Sequence, residues 1–77
     1  MGYILSFGSE SRGWKELGRA PTIGDLHCPM MAYIKITFPG FKMYYLRGWL
    51  NDEGEQIMDF GSHTYFFKIT PIREGEN

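Results

Sequence analysis

Cysteine is nearly absent from this chain: Cys28 is the only one in 77 residues, so no internal disulfide can form. A lone thiol fits a reducing compartment. No apolar run approaches the roughly 20 residues of a membrane helix. No basic segment precedes a sustained apolar run after Met1, so a secretory leader is not expected and the expected location is cytoplasmic. Neither sign of charge dominates, with eight basic and nine acidic residues and a net charge of −1. The chain therefore has no global field to steer nucleic acid.

The signatures of chemistry are missing as well. No Gly-Lys-Ser or Gly-x-Gly-x-x-Gly follows a strand pattern, which removes the phosphate loops. Asp25, Asp52, Glu53 and Glu55 lack the alternating spacing of a calcium loop. A structural zinc site needs four ligands in short-spaced pairs, and that pattern is absent. His27, Cys28 and His63 offer a thiol and two imidazoles. Nucleophilic catalysis needs the thiol beside its base, and nothing in the spacing of residues 28 and 63 provides that. The expectation is a chain without enzymatic activity, cofactor or metal.

A chain of this length forms one domain over residues 1–77, with a small core. Ordering it costs about 1.5 kcal/mol per residue, which nearly cancels the gain from burial at this size. A binding partner, either a second copy or another protein, would add stability.

What is present is alternation. Residues 3–7 (Tyr-Ile-Leu-Ser-Phe) fit a first strand, with Tyr3, Leu5 and Phe7 on one side. Residues 9–17 suggest a short N-terminal helix capped by Ser9 or Ser11 and limited by Gly13 and Gly18. Residues 18–29 read as irregular, with Pro29 breaking whatever Leu26 begins. From residue 31 to 70 four runs alternate apolar and polar side chains, predicting strands over 31–38, 41–50, 55–60 and 64–70. The expected fold is α+β, mostly β: a four- to five-stranded antiparallel meander with a short N-terminal helix. Pro71 ends the ladder, and residues 71–77 are expected to fray.

Turn chemistry sets the register. Asn51-Asp52-Glu53-Gly54 is a type I turn with Gly54 at positive φ, placing Asn51 opposite Glu55, Trp49 opposite Ile57 and Arg47 opposite Asp59. A three-residue loop at Gly61-Ser62-His63 sets Phe67 beside Ile57, whereas a two-residue loop would set Lys68 there and reverse the last strand. The three-residue version keeps one face apolar, with Trp49, Ile57, Phe67 and Ile69 among its members and Trp14, Leu17, Ile23 and Leu26 as its cover. The other face then carries Tyr33, Lys35, Lys42, Tyr44, Leu46, Met58, Phe60, Phe66 and Lys68, too apolar for an ordinary wet surface.

That second face is the candidate binding site. Its aromatics, Leu46 and Met58 have the composition of a protein interface. The expected function is a non-enzymatic protein-binding module acting through this face or a strand edge. In size and type the chain is similar to small phage and mobile-element inhibitors of host proteins, defence nucleases among them, although no motif carries that likeness. The alternative is a single-stranded nucleic-acid binder that stacks bases on Tyr33, Tyr44 and Phe66 and meets phosphates with Lys35, Lys42 and Lys68. No membrane partner is expected.

Overall fold

Leu5 and Phe7 alternate with Ile4 and Ser6, so β1 (Gly2–Ser9) has one side that belongs in a core. A computed structural model describes residues 2–43, 45–62 and 64–72 of the chain. In it β1 turns back directly into a second strand, β2 (Gly13–Ala20), where the sequence suggested a helix. The Ser9 hydroxyl does not cap a helix. It accepts the Arg12 N–H at 3.1 Å and lies 3.3 Å from the Ser11 hydroxyl, which closes a tight turn. Gly13 at φ 86° completes the reversal. Gly8, at φ 149°, has its position taken by close approach, since a Cβ there would collide with the Gly13 carbonyl oxygen.

The helix comes after these two strands. A 3-10 turn (Gly24–Leu26) leads straight into α1 (His27–Thr37), and the Thr22 hydroxyl accepts the Asp25 N–H at 3.2 Å at its start. The expected strand over 31–38 is thus a helix. Leu26, Met30 and Ile34 recur at the helical spacing of four and are all buried. The period-2 reading of Ile34, Ile36 and Phe38 was a coincidence, and Ile36 is 80% exposed. Pro29 does not break the helix, because its missing N–H falls in the first turn, where no intrahelical acceptor exists.

β3 (Arg47–Leu50), β4 (Gln56–Asp59) and β5 (Phe66–Ile72) complete a five-stranded antiparallel sheet in the order β2-β1-β5-β4-β3. It is not a simple meander, because β1 and β5 pair in the middle and join two hairpins. The β3–β4 hairpin has the expected register throughout: Asn51 N–H donates to Glu55 O at 2.9 Å, Gly54 stands at φ 78°, and Trp49 faces Ile57.

The last register differs from the expectation. Lys68 faces Ile57 and Phe67 faces Met58. The link from β4 to β5 is no tight hairpin: Gly61 N–H donates to Asp59 Oδ1 at 2.9 Å and Tyr65 N–H to Ser62 Oγ at 3.2 Å. This longer connection turns Phe60 inward and sets β5 one residue over, which exchanges its faces. β5 also runs on through Pro71 and Ile72, paired with Tyr3 and Gly2. The last β4 pair is Gln56 with Ile69, so Pro71 lies beyond β4 and its missing N–H interrupts no bond to that strand. Residues 73–77 of the expected frayed tail lie outside the described residues.

Among the described residues only one side of the sheet is covered by another element. Leu26, Met30 and Ile34 pack against Leu5, Phe7, Phe67 and Ile69, with Phe60 fully enclosed among them. Phe7 meets the rings of Tyr33, Tyr65 and Phe67 at 4.8, 5.1 and 5.2 Å between centroids. Of the expected cover, Leu26 is buried and Leu17 packs on the core, whereas Ile23 is exposed and Trp14 lies on the opposite side of the sheet.

Candidate functional site: the uncovered sheet face

The registers assign the uncovered face row by row. One row crosses all five strands as Glu16, Ser6, Lys68, Ile57 and Trp49. The row beside it runs Trp14, Gly8 and Phe66 over β2, β1 and β5. β1 supplies only Ser6 and Gly8 to these rows, so the larger side chains of β2 and β5 meet across it. Lys68 Nζ stands 4.6 Å from the centre of the Trp14 ring. On its other side Lys68 pairs with Glu55 Oε2 at 3.5 Å, and the two side chains are only 16% and 13% exposed.

Glu55 is the best-held charge on this face. Its carboxylate accepts hydrogen bonds from Asn51 Nδ2 at 3.1 Å and Thr70 Oγ1 at 2.9 Å. Burial pushes its pKa up, but these hydrogen bonds and the charge of Lys68 outweigh that and hold the carboxyl below its ordinary value. The result is a Glu55–Lys68–Trp14 stack that fixes one tryptophan in place.

The second tryptophan is Trp49 on β3, which meets Phe66 edge-on with 6.2 Å between ring centres. Between Trp14 and Trp49 lies an open cleft of about 570 Å³, with Ile57 and Phe66 in its lining and Glu10 and Arg12 from the β1–β2 turn at its margin. Its volume lies in the range of ligand-sized pockets, and two of its walls are aromatic. The Trp14 indole N–H is buried and meets no acceptor among the described residues.

Three cations elsewhere on this face are paired with carboxylates. Arg47 pairs with Asp59 at 3.1 Å, Arg19 with Glu16 at 3.2 Å and Lys68 with Glu55. Arg12 lies over the Tyr65 ring at 5.3 Å. Among the described residues these pairings offset most of the positive charge on the face, whereas phosphate binding draws on a surplus of it.

The nine residues expected to share one face are dispersed. Phe66 and Lys68 are on the uncovered face. Phe60 is 0% exposed in the core, which rules it out as a docking residue, and Met58 and Leu46 pack against that core. Tyr33 is on α1 and packs its ring against Phe7, while Lys35 is exposed in the last turn of the same helix. Lys42 is exposed in the connection after it, and Tyr44 lies outside the described residues. The stacking and phosphate-contacting set of the nucleic-acid reading is split in the same way.

Trp14 and Trp49 were placed with the core and its cover by sequence, and they are the cleft's two walls. Gly8 and Gly13 around Ser9-Glu10-Ser11-Arg12 were the available signal, since glycines flanking polar turn residues mark a hairpin that would make Trp14 a strand residue. His27 and Cys28 are exposed at the start of α1, and His63 lies outside the described residues. Among the described residues no group of three or more His, Cys, Asp or Glu is placed to hold a metal, and no helix is long and apolar enough to cross a membrane. No protein-family model, curated protein or solved structure matches this chain.

Proposed function

We propose that the chain is a binding module without chemistry, whose uncovered sheet face receives an apolar or aromatic side chain of a protein partner between Trp14 and Trp49. The observation that carries this reading is the cleft itself: an apolar hollow walled by two tryptophans on the side of the sheet that α1 leaves bare. Aromatic side chains held rigid by their neighbours are what protein interfaces use as anchors. Trp14 is clamped by Lys68, and Trp49 is braced by Phe66. Such a module acts by occupying a surface of another protein, the mode of small phage and mobile-element inhibitors.

Selection of binders from a random peptide library displayed on particles tests it. Enriched peptides should carry an aromatic or aliphatic anchor and change the tryptophan fluorescence. Truncating an anchor pocket costs at least about 2 kcal/mol, so Trp49→Ala should weaken binding about 30-fold while the fold persists. Peptides that bind Trp14→Ala and Trp49→Ala as tightly as the parent would refute the reading. Salt-sensitive binding of an oligothymidylate, in place of peptides, would favour the nucleic-acid alternative.

A further inference from the structure

We propose that the β3 edge is a self-pairing surface: two copies of the chain join antiparallel through residues 47–50, with the two Trp49 side chains facing each other at the two-fold axis. This goes beyond the cleft reading and stands on different observations. The two sheet edges are unlike. β2 carries Lys15, Glu16 and Arg19 along its eight residues, the charged side chains that deter edge-to-edge association. β3 has a single charge, Arg47 at its start, and the Gly48, Trp49 and Leu50 that follow carry none, with Trp49 and Leu50 46% and 72% exposed. An unguarded apolar edge is a template for another strand.

The backbone selects the register. Asn51 N–H bonds to the Glu55 carbonyl, so Asn51–Glu55 is a hydrogen-bonded pair. By antiparallel alternation Trp49–Ile57 and Arg47–Asp59 are too, and Gly48 and Leu50 turn their N–H and C=O groups outward. A two-fold axis perpendicular to the sheet puts like faces together, so residues across the junction share a face. Gly48 opposite Leu50 of the second copy meets both requirements, and the symmetry doubles that pair into four main-chain hydrogen bonds. Trp49 against Trp49 then falls in the close, non-hydrogen-bonded position between them.

Side chains and charge fit the same arrangement. Gly48 has no side chain, and the Met58 thioether lies over it, 2.7 Å from where a Cβ would stand. Leu50 of the second copy packs onto that thioether, and the reciprocal contact follows by symmetry. Arg47 precedes the apolar stretch and Asp52 and Glu53 follow it. Antiparallel self-pairing brings the Arg47 end of one copy to the acidic Asp52–Glu53 turn of the second, whereas a parallel junction would set like ends together.

Light scattering across a dilution series up to about 1 mM, a concentration at which even a weak pair is substantially formed, reads the mass directly. The parent should approach twice the monomer mass, and Leu50→Lys should remain monomeric with an unchanged near-ultraviolet circular dichroism spectrum. Amide exchange at Gly48 and Leu50 should slow with concentration, while Arg47 and Trp49, bonded within the chain, should not change. A parent that is monomeric at about 1 mM overturns the proposal and leaves the edge free for a strand of a different protein. A dimer that survives Leu50→Lys, or concentration-independent exchange at Gly48 and Leu50, overturns it as well. Peptide binding measured on the Leu50→Lys monomer keeps the cleft reading separable from this one.

Discussion

Phe60 and Phe66 sit six residues apart and look alike in the sequence, yet the fold gives them opposite fates. Phe60 is fully buried, with ring centres of Phe67, Phe41, Phe38 and Phe7 at 5.2, 5.6, 6.0 and 6.4 Å. Its replacement by alanine removes about 3–5 kcal/mol through lost transfer energy and the cavity left behind. A domain of this length holds about 4–12 kcal/mol in total, at roughly 0.05–0.15 kcal/mol per residue. Phe60→Ala should therefore consume much or all of the stability. Phe66 is half-buried on the uncovered face, and truncating it should cost about 1 kcal/mol, roughly half the value of a fully buried side chain. Urea denaturation followed by circular dichroism measures both. Small domains have slopes of about 1–3 kcal/mol/M, so Phe60→Ala should shift the midpoint by 1 M or more, or leave no folded baseline. The reasoning fails if Phe60→Ala costs less than about 1.5 kcal/mol, or if Phe66→Ala costs more than Phe60→Ala.

Glu55 links stability to acid. Its folded pKa is depressed, so it contributes stability above its unfolded value near 4.3 and loses that contribution as pH falls through the lowered folded value. Glu55→Gln should thus be less stable than the parent at neutral pH, and the gap should narrow below about pH 4 in pH-dependent urea midpoints. A gap that stays constant across that range would show that the charge is not responsible. Gly8→Ala should lower the melting temperature through a strain of about 1–3 kcal/mol, since φ 149° and the Gly13 carbonyl both exclude a side chain there. An unchanged melting temperature would mean that the β1–β2 hairpin differs from the one described.

Local turn chemistry was the most legible part of the fold. Asn51, Gly54 and the charges of Arg47 and Asp59 determine a hairpin among near neighbours, and the β3–β4 register follows from them without knowledge of the rest. Residues 31–38 were ambiguous because Ile34, Ile36 and Phe38 satisfy a strand period, while Leu26, Met30 and Ile34 satisfy a helical one. The one local signal for a helical start is Thr22 three residues before Asp25, and Pro21 and Gly24 beside it carry equal weight as loop chemistry. The β1–β5 pairing spans most of the chain and leaves no local trace. The site inherited these errors. Among the described residues one sheet face lacks a covering element, and the side chains on it differ from those expected because β5 reverses its faces and residues 13–20 form a strand. Trp14 could be placed beside the cleft only after its strand was known to lie next to Gly8.

The position of β5 between β1 and β4 has a consequence for how the chain comes off the ribosome. The strand that unites the two hairpins is the last of the five to be synthesised, after the 65 residues that precede it here. Until then the segments that become the β1–β2 ribbon, α1 and the β3–β4 ribbon lack the strand that joins them. Assembly awaits long-range closure, which is entropically expensive and slow for contacts so far apart in sequence. During that interval the open flank of β1 is a vacant seat that the strand of a stranger can take as readily as β5.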